Sequence, residues 1–161
     1  MKYAELFESE NVKTISSQVT NVTVFDEDET TDNKVHVRLT FRDTFAGNHY
    51  DKKTNKFTSA SDVNTIDFSR RRLTYNLTEV DENIMILRSM QREGFVQHEF
   101  ALLLVASTLT FERVEVPVGT EIEYPDGHSV KVEGNNSWLT RITGYKPSKR
   151  AKKAIDNALE F

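Results

Sequence analysis

Cysteine is absent from the 161 residues. Disulfides, thiolate metal sites and cysteine nucleophiles are therefore excluded, and the chain suits a reducing compartment. Glycine and proline are scarce, six and three residues, which argues against a Gly-rich phosphate loop or a proline-rich linker. Long apolar runs are missing too. The longest, Phe100 to Ala106, is seven residues, where a membrane-spanning helix takes about twenty. Met1 to Glu10 mixes acids with aromatics and has no basic stretch leading into an apolar one, so no secretory signal is read there. The expectation is a chain without a membrane partner, in the cytoplasm.

Recognisable catalytic constellations are equally sparse. The four histidines, His36, His49, His98 and His128, have no ligand spacing and no cysteine to complete a zinc site. His98–Glu99 is a lone pair beside an apolar run and reads as structural. Asp26–Glu27–Asp28–Glu29 lacks the glycine and closing glutamate of a calcium loop and reads as a solvated turn. No serine lies in a nucleophile elbow. The chain is expected to be no enzyme, with no cofactor and no metal.

What is present is a clean strand pattern. In Lys34 to Arg42, Val35, Val37, Leu39 and Phe41 share one face, and His36, Arg38, Thr40 and Arg42 the other. A period of two with apolar and polar residues so separated describes a half-buried strand of an antiparallel sheet. The outward face carries two arginines and a histidine and no acid, in a chain of net charge −4. That net charge hides an asymmetry. Residues 1–33 hold two lysines against eight acids, whereas residues 141–153 hold six basic residues and no acid. The local field decides which partner approaches.

Along the chain, Met1 to Asn11 reads as a short helix or arm with Tyr3, Leu6 and Phe7 as its contacts, and Val12 to Phe25 as a strand. An acidic turn at 26–33 joins that strand to Lys34–Arg42 as a hairpin. Asp43 to Val63 shows no sustained period and is expected to be a long loop. Asn64 to Tyr75 reads as strand. Thr78 to Glu93 reads as a helix capped by Thr78 or Asp81 and stopped by Gly94. Phe95 to Ala106 fits helix or strand, with helix preferred, and Thr108 to Val116 is a strand broken at Pro117–Val118–Gly119. Thr120–Tyr124 and Ser129–Glu133 flank Pro125–Asp126–Gly127–His128, a hairpin signal. Ser137 to Tyr145 is the last strand, and Ser148 to Phe161 a helix with a narrow stripe of Ala151, Ala154, Ile155, Ala158 and Leu159. One domain over 1–161 is expected, a β core at 12–146 and a basic C-terminal helix at 147–161.

Basic and aromatic residues cluster in three places: Tyr50, Lys52, Lys53, Lys56 and Phe57; Arg70, Arg71, Arg72 and Tyr75; and Trp138, Arg141 and Tyr145, running on into Lys146, Lys149, Arg150, Lys152 and Lys153. Single-stranded nucleic acid needs this mixture, because cations track the phosphates while bases stack on ring faces, each stack worth about 1–3 kcal/mol. Each cluster also has a plainer reading. Loop lysines are solvated, Tyr50 and Phe57 anchor their loop, Trp138 is core, and one of three consecutive strand arginines snorkels or pairs with an acid.

Three strands, a helical segment, further strands and a basic terminal helix resemble the OB-fold, a small Greek-key antiparallel barrel, over residues 12–146. With the basic and aromatic clusters, the chain resembles small single-stranded DNA-binding proteins of phage or plasmid type, for which the location is the host cytoplasm. Bacterial members end in an acidic tail closing on phenylalanine that recruits partner proteins. Here Asp156 to Phe161 has the terminal Phe161 and two acids, without the acidic run, the proline or the long linker. The resemblance implies an α+β fold that is mainly β and partners that are single-stranded DNA or RNA, further copies of the chain, and a protein at the C-terminal helix. It implies a nucleic-acid site of Arg38, Arg42, Tyr50, Lys52, Lys53, Lys56, Phe57, Arg70, Arg72, Tyr75, Trp138, Arg141 and Tyr145. The competing expectation is a structural β-domain whose acidic N-terminal third meets the basic helix of a neighbouring copy.

Overall fold

A computed structural model describes residues 1–26, 35–51, 56–82, 101–133 and 137–159. Within these, the side chains of 25–26, 35–36, 49–51, 56–61, 70–71 and 158–159 are not described. The fold is mainly antiparallel β with a few helices. Helix α1 (Tyr3–Leu6) precedes strands β1 (Lys13–Asp26), β2 (Val35–Asp51) and β3 (Lys56–Ser69). Helix α2 (Arg70–Val80) and a helical turn at 101–104 come before β4 (Thr108–Glu115). The small strands β5 (Glu121–Glu123) and β6 (Ser129–Lys131) lead to β7 (Trp138–Lys146) and helix α3 (Lys149–Leu159). No helix among the described residues is long and apolar enough to cross a membrane.

Five strands form one sheet in the order β3-β2-β1-β4-β7, and β5 pairs with β6 in a second. The placement of β4 beside β1, with β2 and β3 beyond, is the strand order of a Greek key. The β1–β2 register sets Val24 opposite Val37 and Val22 opposite Leu39, with a slip between Val19 and Asn21. The chain divides into two compact units, each made of three separate segments. The first comprises Met1–Ile15, Thr44–Val63 and Phe111–Arg141, and the second Ser16–Asp43, Asn64–Thr110 and Ile142–Phe161.

In the first unit, Leu6 and Phe7 bury against Val114, Val116, Ile122, Val132 and Leu139. The β5–β6 turn is the expected hairpin. Gly127 takes φ +93°, the left-handed region where a Cβ is penalised. The Tyr124 amide donates to His128 O across the turn. In the second unit the core includes Val37, Leu39, Phe41, Phe68, Leu73 and Leu77.

Two segments depart from the sequence reading. The loop expected over 43–63 is instead the end of β2 and the start of β3, residues 52–55 lying outside the described set. Alternation continues past Arg42, since Phe45 and Gly47 are buried at the same parity as Phe41. Asp43 falls on that parity as well and hides the pattern. It is tolerated because Ser17 donates to its carboxylate at 3.0 Å and accepts the Asp43 amide at 3.1 Å. Gly47 masks the strand for a different reason: a Cβ there would collide with Val63 Cγ2.

The strand expected through Tyr75 ends at Ser69. Ser69 Oγ accepts the Arg72 amide at 3.2 Å, an N-cap, so Arg70 to Arg72 form the first turn of a helix rather than a strand with two faces. Leu73 and Leu77 recur at helical spacing and bury fully. Of the two residues proposed as the next helix's cap, Thr78 lies inside α2, donating to Thr74 O at 2.6 Å, and Asp81 is the C-cap of α2. The rest of that expected helix, with the acidic turn at 27–34, falls outside the described residues. The last turn of Phe95–Ala106 is helical, as preferred.

Candidate nucleic-acid interface

The arginines marked by the sequence fall into different electrostatic states. Arg38 on β2 is exposed but engaged: its Nε and Nη2 donate to the two carboxylate oxygens of Asp67 on β3, at 2.7 and 3.0 Å. The hydrogen bond to Asp67 raises the Arg38 pKa above its ordinary value. Arg141 on β7 donates twice to Glu112 Oε1 on β4, at 3.2 and 2.6 Å, and lies 4.6 Å from the centre of the Phe7 ring. Asp67 and Glu112 each stand 29 residues from their arginine. No local sequence pattern announces them; only strand neighbourhood in the sheet does.

Arg42 is exposed and forms no ion pair among the described residues. The same holds for Lys146, Lys149, Arg150, Lys152 and Lys153, at the end of β7 and on α3. Helix α3 forms because Ser148 Oγ accepts the Ala151 amide at 3.0 Å, an N-cap. Ala151 and Ile155 bury one stripe, which leaves the cations on the solvent side. Small hydroxyl side chains occupy the more exposed positions of the same unit's strands, Ser16 and Thr20 on β1 and Thr143 on β7. Ser16 Oγ lies 2.7 Å from Thr110 Oγ1. The second unit thus carries exposed cations in no described ion pair and, on its strands, exposed hydroxyl groups.

The aromatic candidates are more constrained. Trp138 is half-buried in the first unit, 5.3 Å from the Arg113 guanidinium, which also lies 4.7 Å from the Phe45 ring. Tyr145 donates its hydroxyl to Leu103 O at 2.5 Å, and burial pushes its pKa up to about 12. Removing either ring disturbs packing as well as any interaction with a ligand. Tyr75 on α2 stands 52% exposed. The Arg72 guanidinium lies 5.5 Å from the Phe68 ring.

Lys52 and Lys53 lie outside the described residues. Tyr50, Lys56, Phe57 and Arg70 have described backbones in β2, β3 and α2, and nothing is stated of their side chains. By unit, Arg38, Arg42, Arg70, Arg72, Tyr75 and Tyr145 belong to the second, and Tyr50, Lys52, Lys53, Lys56, Phe57, Trp138 and Arg141 to the first.

No group of three or more histidine, aspartate or glutamate side chains among the described residues is arranged to hold a metal ion. No family model, no curated protein and no solved structure matches this chain.

Proposed function

We propose that the chain is a sequence-tolerant single-stranded nucleic-acid-binding domain of OB type, acting through the basic surface of its second unit. The sheet order supports the fold: a Greek-key arrangement of five strands with helix between the third and the fourth, as in OB domains. The observation that carries the function is the division of cations. Arg38 and Arg141 are held by acids, while Arg42, Lys146, Lys149, Arg150, Lys152 and Lys153 stand without a described ion pair. Five of those six fall within eight residues of sequence, a density that draws a polyanion and releases its counterions.

The test is fluorescence anisotropy with labelled oligothymidine of about 30 nucleotides, a length covering several OB-type site sizes, and with the corresponding duplex at two salt concentrations. The single strand should bind in preference to the duplex, with affinity falling as salt rises. Lys152→Gln with Lys153→Gln should flatten the salt slope by about 0.7 for each phosphate that is no longer neutralised. Absence of binding at low salt would refute the reading.

One observation favours a second reading, the assembly domain. Glu5, Glu8, Glu10, Glu121, Glu123 and Glu133 of the first unit are exposed and in no described ion pair, a charge complementary to that of α3 on another copy. Sedimentation without nucleic acid distinguishes the two: self-association that dissolves in salt supports assembly, and a salt-indifferent monomer removes it.

A further inference from the structure

The second unit also contains a groove whose chemistry differs from the rest of its surface. Ala101, Leu102, Val105 and Ala106 form one side, and Ser148, Lys149 and Arg150 the other, around a cavity of about 560 Å³. Val105 is 36% exposed there. The wall ends in Ala106 at φ +67°, held by its amide on Val19 O at 2.8 Å and by Gln18 Nε2 on its carbonyl at 3.1 Å. The opposite side is fixed by the Ser148 amide, which donates to Ser107 Oγ at 2.9 Å. Both sides of the groove are therefore held in place through hydrogen bonds of their backbone groups.

We propose that this groove docks an acidic peptide, whose apolar side chain fills the floor and whose carboxylates meet Lys149 and Arg150. Charge complementarity selects this occupant. Both rim cations stand without a described ion pair, no acid lines the groove among the described residues, and the first turn of α3 adds positive potential at the same rim. A nucleobase is disfavoured because no lining residue among those described carries a ring to stack on. Among the described lining residues the one polar side chain besides the cations, Ser148, already accepts the Ala151 amide. Lys149 and Arg150 also belong to the proposed phosphate-binding surface, so peptide and nucleic acid compete. The docking itself stands independently of the nucleic-acid reading.

The experiment titrates the full chain against fluorescein-labelled Asp-Asp-Phe-Asp-Asp and against the same peptide with alanine replacing phenylalanine, with labelled oligothymidine in parallel. The phenylalanine peptide should bind at least roughly tenfold more tightly, the consequence of burying a large apolar side chain. Val105→Glu, which places a like charge on the floor, should abolish that advantage while weakening oligothymidine far less than the phenylalanine peptide. Lys149→Glu, at an exposed position, serves as a second variant should Val105→Glu fail to fold, and should weaken the peptide to a similar degree. Peptide binding without oligothymidine binding would uphold the docking and refute the nucleic-acid function. Equal affinity for the two peptides, no peptide binding at low salt, or equal loss of peptide and oligothymidine in a folded Val105→Glu protein would overturn the docking.

Discussion

Asn76 fastens α2 to an outermost strand of the sheet, and its replacement isolates that one connection. The side chain is 3% exposed. Its Oδ1 accepts the Ile142 amide on β7 at 3.1 Å, and its Nδ2 donates to Arg72 O at 2.9 Å. Since β7 ends the five-stranded order, an amide turned away from β4 has no strand to accept it. Asn76→Ala leaves that buried N–H without its acceptor at a cost of about 1–3 kcal/mol, and the missing volume adds to this. The sum, about 2–4 kcal/mol, is a large part of an ordinary domain stability of about 5–15 kcal/mol. At about 2–4 °C for each kcal/mol in a chain of this size, the melting temperature should fall measurably. Asn76→Leu separates the two causes, because leucine restores volume without restoring the acceptor. Urea denaturation followed by circular dichroism gives the free energies, and amide exchange at Ile142 reports the orphaned group. If Asn76→Leu is as stable as the parent, the acceptor is not what Asn76 contributes and the reasoning fails.

Four further outcomes are expected. The Tyr145 pKa stands at about 12 against an ordinary 10.0, so the folded state holds the phenolic proton where the unfolded chain releases it. That stabilisation is complete below pH 10, declines as pH rises towards 12, and should be missing from alkaline unfolding curves of Tyr145→Phe. Gly47→Ala should destabilise by about 1–3 kcal/mol in urea melts, because the new methyl meets Val63 Cγ2 and lies 3.2 Å from Arg113 Nη2. Ala106→Gly should stabilise by roughly 0.5–1 kcal/mol in thermal melts, the relief of a left-handed alanine exceeding the added freedom of the unfolded chain. Asp67→Asn should barely alter stability, its ion pair being exposed, yet should tighten oligothymidine binding by removing a negative charge beside Arg38; unchanged affinity would place Arg38 outside the interface.

Legibility followed the locality of the signal. The β5–β6 hairpin was readable because Pro125, Asp126 and Gly127 encode their turn within four residues, and Gly127 adopts the positive φ its type permits. Strands β4 and β7 and helix α3 were readable from periodicity, and Pro117 and Pro147 marked two of their ends. The second half of β2 was not, because Asp43 and Gly47 interrupt its apolar parity for reasons lying on other strands, Ser17 for one and Val63 for the other. Arg70 to Tyr75 misled because alternation over so few residues also suits a helix, and the Ser69 cap outweighed it. The candidate site divided in the same way. Clusters of basic residues were plain in the sequence, but which arginines were already neutralised was not.

By itself the sequence determined that thiol chemistry is absent, where basic residues cluster, and that the chain is mainly β with a basic terminal helix. These follow from composition and from periods spanning a few residues. Tertiary structure alone decided that Asp67 holds Arg38, that Glu112 holds Arg141, and that Tyr145 closes on Leu103. It also decided that 101–106 and 148–150 face each other across a groove. Each of these joins groups some thirty or more residues apart, and a through-space interaction of that kind leaves no mark on the local pattern of either partner.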